Sequence, residues 1–200
     1  MKTLRDRVPS PLLLHCCCAP CTGGIVTTLA DQGVSLTLHL YNPNIYPRSE
    51  YLMRKTELLR FAAGRNLAAI DEDDPHHVWS DCIAGLEDEP ERGQRCARCF
   101  RMRLERSAKL AAARGFAAFA TTLGVSRWKD IHQVNTAGSA AASGYRDLQF
   151  WDCNWRKAGG CDLTRAVARQ ECFYQQRYCG CEFSLRDRLA HDNARAGNRS

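Results

Sequence analysis

Short apolar runs alternate with helical patterns along this chain, and that alternation constrains its fold more than any other feature. "PLLLH" reads as a buried strand, "TGGIVTTLADQG" as a helix stopping at Gly33, and "VSLTLHLYN" as a second strand. "PRSEYLMRKTELLRFAAGRN" carries Leu52, Leu58, Leu59, Phe61 and Ala62 at near-helical spacing, and "LAAI" follows as a short strand. "CARCFRMRLERSAKLAAARG" is the strongest helical pattern, "FAAFATTL" the next strand, "RWKDIHQVNTAGSAAASG" a further helix and "YRDLQFW" a last strand. Strand and helix in strict turn predict an α/β fold: a parallel sheet with flanking helices. In such sheets ligands bind beyond the carboxyl ends of the strands, and "HCCCAPC" stands at one of those ends, just before a helix begins.

The chain has 12 cysteines in 200 residues, and 44% hydrophobic content suffices for a core without cross-links. No stretch reads as a signal peptide or reaches the roughly 20 apolar residues of a membrane span. The expected location is therefore the cytoplasm, with no membrane partner. There disulfides are kept reduced, and clustered thiols bind metal or do redox chemistry.

Three cysteine groups follow. Cys16, Cys17, Cys18 and Cys21 sit at a helix amino terminus, where partial positive charge favours thiolates as nucleophiles or metal ligands; Pro20 suits the first turn of that helix. Within this group Cys16 reads most simply as a packed small hydrophobe. Cys96 and Cys99 form a CxxC at the start of the long helix, a spacing used for zinc, iron–sulfur clusters and dithiol centres. Together the two groups supply enough thiolates for a tetrahedral zinc or a 4Fe-4S cluster. Cys179 and Cys181 flank Gly180, whose tight bend suits a reducible disulfide, further metal ligands or idle thiols. Cys82, Cys153, Cys161 and Cys172 stand alone and receive no role.

Among other polar positions, Tyr41, Asn42 and Asn44 fall at the end of the second strand, and Asp71, Glu72, Asp73 and Asp74 form an acidic turn after the third. Trp155, Arg156 and Lys157 read as a loop able to touch phosphate or stack on a base. His15 at the strand end reads as structural. A net charge of +6, carried mostly by arginine, permits a polyanionic partner such as RNA. No GxxxxGK[ST] loop, GxGxxG after a strand, or HExxH occurs; cysteines occupy the place where a phosphate loop would lie.

"LLLHCCCAPC", "YNPNIYPRSEYLMRK", "ERGQRCARCFRMRLERSAKLA", "FATTLGVSRWKD", "NWRKAGG" and "ECFYQQRYCGC" occur in order, and the set resembles the QueH-type epoxyqueuosine reductases across nearly all of residues 10–185. The resemblance implies a fold related to the adenine nucleotide alpha hydrolase-like (HUP/PP-loop) group, with a cysteine-rich C-terminal extension. Residues 1–185 would then be a single α/β metal-binding catalytic domain and 186–200 a polar, flexible tail. The implied reaction is cobalamin-independent reduction of epoxyqueuosine to queuosine at the wobble position of tRNA, the last step in making that nucleoside. Carried over by position, Cys17, Cys18, Cys96 and Cys99 are the implied 4Fe-4S ligands and Cys179 and Cys181 the redox-active pair. Cys21 falls on a motif cysteine and is a further candidate metal ligand. An additional mononuclear iron held partly by a carboxylate also fits the family. The partners implied are tRNA carrying epoxyqueuosine and an electron donor that the sequence does not identify.

Cys16 departs from the pattern, standing where serine is expected. Two other readings share the same cysteines: an iron–sulfur tRNA thiolating enzyme, which would need ATP, and a zinc-bound, non-catalytic RNA-binding module. Tyr46, Trp128 and Trp155 are the aromatic candidates for stacking a splayed base.

Overall fold

In the computed structural model, which describes residues 1–3 and 6–197, five parallel strands form one sheet in the order β3-β2-β1-β4-β5. The strands are β1 (Leu12–Cys16), β2 (Leu36–Leu40), β3 (Ala68–Asp71), β4 (Ala118–Thr121) and β5 (Gln149–Phe150). β1 is central, with Leu14 opposite Leu38 of β2 and Ala120 of β4. Every residue of β1 is buried. Because side chains alternate faces along a strand, Leu12, Leu14 and Cys16 enter one core and Leu13 the other.

Helices cover both faces. On the Leu14 side lie α1 (Ala19–Asp31), α2 (Arg48–Gly64) and α6 (Gly160–Gln170), contributing Ile25, Leu29, Phe61 and Val167. On the Leu13 side lie α4 (Gln94–Ala113) and α5 (Ile131–Ala142), contributing Phe100, Leu104, Val134 and Ala141. α1 and α6 pack so closely that a Cβ on Gly24 would meet the Thr164 Cα at 2.8 Å, which requires glycine at that crossing. α3 (His76–Cys82) and α7 (Glu182–Gly197) complete the chain.

The α/β class and parallel sheet agree with the sequence pattern. α3, α6 and α7 were not anticipated. α7 crosses the boundary drawn at residue 185: residues 186–197 continue as helix, and 198–200, the rest of the expected tail, lie outside the described residues. The alanines, arginines and leucines of that stretch are all good helix formers, which the reading by polarity passed over. The helix expected from Arg127 begins instead at Ile131, because the Asp130 carboxylate accepts from the His132 N–H at 2.8 Å and caps it. Among the described residues, no helix is long and apolar enough to cross a membrane.

Candidate metal and redox site

The chain leaves β1 toward β2 on one side, while β4 pairs on the other. The crevice beyond the carboxyl ends of β1 and β4 is thus the switch point of the sheet. There the Cys17 N–H donates to Thr122 Oγ1 at 3.0 Å, and the Thr122 hydroxyl donates to Cys17 Sγ at 3.2 Å. Cys18 is the N-cap of α1 with extended backbone, and Pro20 lies in the first turn as expected. One turn on, Cys21 returns to the same side. The sulfurs of Cys17, Cys18 and Cys21 all lie within 4.8 Å of one another and all three residues are buried. Cys16 points away into the Leu14 core and donates its S–H to the Leu14 carbonyl at 3.2 Å.

These three thiols share one favourable ionisation. Hydrogen bonds from Cys18 and Cys21 hold the Cys17 thiol well below the ordinary range, despite burial, with help from Lys129 and Thr122. The same pairing with Cys17 pushes Cys18 up to about 12 and Cys21 well above its ordinary value. Gln176 donates to Cys18 Sγ at 3.1 Å. Lys129 is only 8% exposed, and no ion pair of its ammonium with a carboxylate occurs among the described residues. Burial works against its charge. The surrounding Cys179, Cys17, Cys21 and Cys18 more than reverse this and hold it well above the usual lysine range. Thiolate acceptors with aimed N–H and O–H donors and one buried cation suit a soft metal: zinc, iron or an iron–sulfur centre. Thiolates in a tetrahedron around one ion at ~2.3 Å stand about 3.8 Å apart, close to the 3.7 Å between the Cys17 and Cys18 sulfurs. One ion fits this spacing as it stands, and a four-iron cluster requires wider separation and a fourth ligand.

Cys96 and Cys99, grouped with Cys17 and Cys18 in the sequence reading, lie outside that 4.8 Å set. Cys96 packs against the core cluster that holds Cys17, Cys18 and Cys21, accepts from the Arg92 N–H at 3.3 Å, and is pushed up to about 12 by burial. Cys99 sits with Cys181, Trp79 and Ile83 in a separate small cluster. Cys181 is raised by burial and by Cys179, and its S–H meets Ser184 Oγ at 3.4 Å. Cys179 and Cys181 are free thiols. The bend between them uses the positive φ of Gly180, +136°, with Arg54, Ile45 and Asn44 against its Cα face.

Three arginines, of which Arg54 is buried, Arg156 half-buried and Arg92 exposed, fix the loops around the crevice. Arg54, 4% exposed, donates to the carbonyls of Cys179 at 3.1 Å and Tyr178 at 3.3 Å while its Nε meets Glu50 at 2.7 Å. Arg156 donates to the carbonyls of Gly124, Ser126 and Lys129, and Arg92 to those of Arg127 and Trp128. The loop carrying Lys129 is therefore held from two sides.

Other expected contacts fall elsewhere. Trp155 is 3% exposed and its indole N–H donates to the Thr121 carbonyl at 2.9 Å, so it is a core anchor and offers no face to a base. Arg156 is likewise spent on loop carbonyls rather than phosphate. In the acidic turn Asp71 and Asp73 pair with Lys55 and Arg48, Glu72 with His39 and Arg106, and Asp74 accepts from Tyr41. None of these carboxylates joins the thiol group. His15 is fully buried and burial keeps it neutral; Nε2 faces the Tyr41 carbonyl and so carries the proton, leaving Nδ1 to accept from Thr121. Lys129, Thr122, Gln176 and Arg54 escaped the sequence reading although all four lie inside quoted motifs, Thr122 and Lys129 in "FATTLGVSRWKD", Arg54 in "YNPNIYPRSEYLMRK" and Gln176 in "ECFYQQRYCGC". The packing of the 176–184 segment over the crevice reveals the roles of Lys129, Gln176 and Arg54, and the pairing of β1 with β4 reveals that of Thr122.

The family described as "Epoxyqueuosine reductase QueH" matches residues 12–187. Proteins named epoxyqueuosine reductase QueH from Histophilus somni and Acinetobacter baylyi are each 49% identical over 176 residues, covering 88% of this chain and 72% and 81% of theirs. One of the same name from Thermotoga maritima is 32% identical over 180 residues, covering 88% of this chain and 91% of its own.

Proposed function

The chain belongs to the QueH family of epoxyqueuosine reductases, and from that premise we propose that it reduces epoxyqueuosine to queuosine at the wobble position of tRNA, using an iron–sulfur centre and no cobalamin. The observation that carries this reading is the buried Cys17, Cys18 and Cys21 group at the sheet's switch point, where a nucleotide-binding member of such a fold would bind phosphate. The strand order supports kinship with the adenine nucleotide alpha hydrolase-like folds. Cys17 and Cys18 would hold the centre, their sulfurs spreading from the present 3.7 Å to the wider separation a four-iron cluster requires, with Cys96 and Cys99 as the remaining 4Fe-4S ligands and Cys21 available to a second iron. Such a centre supplies electrons one at a time.

The chain's own groups account for the rest. Converting an epoxide to an alkene and water takes two electrons and two protons, and oxidising the Cys179 and Cys181 thiols to a disulfide releases the same number of each. The pair is thus a two-electron store beside the crevice, recharged by a dithiol-class reductant. Arg54, through the Cys179 carbonyl, sets where that thiol stands. Lys129 Nζ, buried among Cys179, Cys17, Cys21 and Cys18, offers a proton to the departing oxygen and balances the charge on sulfur.

The test is anaerobic: the protein is loaded with iron and sulfide, then mixed with reductant and tRNA carrying epoxyqueuosine, and the digested nucleosides are weighed. Loss of one oxygen in the loaded protein and none in the metal-free protein is the expected result. An unchanged nucleoside with a fully loaded centre overturns the reading. The single-ion spacing of Cys17 and Cys18 favours one rival, a zinc-bound RNA-binding module; a colourless protein with stoichiometric zinc, inert in this assay, identifies it.

A further inference from the structure

Trp128 is 61% exposed, more than any other large hydrophobic side chain of the described residues, although the loop around it is held by Arg92 and Arg156. The Arg127 guanidinium lies 4.8 Å from the Trp128 ring centroid. Trp128 also forms part of the wall of two cavities. One, of about 490 Å³, reaches Lys129 and Cys179; the other, of about 620 Å³, reaches Cys21 and Gln176. Arg127, Arg165 and Arg169 line the second cavity, and Lys129, Arg177 and Arg188 the first, against the carboxylates of Glu91 and Asp187. Arg177 and Arg188 share the carboxylate of Asp192, so three cations and three carboxylates balance around the first cavity, and the excess of positive charge lies along the second, at Arg127 and Arg169.

We propose that this face is where the anticodon loop of tRNA docks: the splayed wobble base stacks on Trp128 and enters the cavity that ends at Lys129 and Cys179, while Arg127 and Arg169 hold the flanking phosphates. The proposal rests on the reductase reading for its substrate and adds the surface and the residues. Three features select a single-stranded RNA loop. An exposed aromatic face stacks a base of any sequence, arginines flank it for backbone phosphate, and the pocket behind it is the size of one nucleoside rather than a duplex groove. Cys21 stands in the wall of one cavity and Cys179 in the wall of the other, so a base seated on Trp128 lies beside both sulfur groups.

The experiment measures binding of a fluorescent anticodon stem-loop, with guanosine or epoxyqueuosine at the wobble position, by anisotropy over a range of salt. Trp128→Ala is expected to weaken binding by about tenfold or more, the scale of one lost base stack. The double variant R127E/R169E is expected to weaken binding of both RNAs and to flatten the salt dependence by about two phosphate contacts. Arg146→Glu, on an exposed turn bordering a different cavity, serves as control and binds as wild type. Trp128→Ala and R127E/R169E binding within twofold of wild type, or Arg146→Glu losing as much as they do, overturns the proposal. Because binding is read without turnover, a wild-type protein that binds through Trp128 yet leaves epoxyqueuosine unreduced upholds the docking face and removes only the reductase reading.

Discussion

Two of the thiol groups of this molecule are built in opposite ways. Cys17, Cys18 and Cys21 come from one strand end and the first turn of one helix, lie within 4.8 Å of each other, and divide their acidity so that one is readily ionised. Cys179 and Cys181 come from a loop with a glycine between them; Cys181 turns inward to Ser184 and Cys99, and Cys179 borders a cavity beside Lys129. The first arrangement gathers its sulfurs at the spacing one metal ion would need, which would keep the ordering cost of binding such an ion low. The second leaves one thiol reachable and one protected, as the proposed redox pair would need to meet a substrate and an external reductant in turn. The charge of Lys129 responds to both groups.

The largest effect is expected where the two groups are separated by mutation. Cys17→Ser should lower metal affinity by at least about 100-fold, since even partners one shell out cost 10–100-fold, and should abolish turnover with it. Cys179→Ser should leave bound iron at the wild-type level and abolish multiple turnover. Iron analysis alongside nucleoside mass spectrometry reads both. If Cys179→Ser loses iron as completely as Cys17→Ser, the two groups are a single ligand set and the contrast collapses.

A smaller, pH-dependent effect sharpens the same contrast in the metal-free, reduced protein. Cys17 is an acid held below its unfolded value, so its contribution to stability is complete above the ordinary thiol value near 9 and is lost as pH falls through its folded value. Cys96, raised to about 12 by burial, has the opposite sign: its contribution is complete below about 9 and is lost as pH rises toward 12. Thiolate absorbance in the ultraviolet should therefore persist at neutral pH and vanish in Cys17→Ser. The urea midpoint should fall between about pH 9 and 12, less steeply in Cys96→Ser. Neutral-pH thiolate that survives Cys17→Ser would transfer the acidified position to another cysteine.

The strands and the principal helices are legible in the sequence because their periodicity is local: Leu12 to Leu14 leave no polar face, and Leu104, Ala108 and Ala111 recur on one side of α4. The thiols at the end of β1 are legible for the same reason, since strand end and helix start are adjacent in the chain. What is not legible depends on packing between distant segments. Nothing local marks Lys129 within "FATTLGVSRWKD", and its neighbourhood with Cys179 exists only because residues 176–184 pack over the crevice. Trp155 reads as a loop aromatic until Thr121, 34 residues earlier, takes its N–H. α6 follows glycines that suggest a turn, and the need for its partner surface on α1 shows only in the contact at Gly24.

The smallest effect concerns the residue that makes the run of three cysteines ambiguous. Alternation along β1 sends Cys16 into the Leu14 core and leaves Cys17, one residue on, to turn toward Thr122. Cys16 is fully buried, and burial raises its thiol, which stays protonated and bonded to the Leu14 carbonyl. A serine hydroxyl is smaller than a thiol and keeps a donor for that same carbonyl. Cys16→Ser should consequently cost no more than about 1 kcal/mol in stability, the scale of one exchanged hydrogen bond, with iron content and turnover unchanged. Loss of iron in Cys16→Ser would shift the ligand register by one residue, placing Cys16 rather than Cys17 at the metal and reversing which face of the strand does the chemistry.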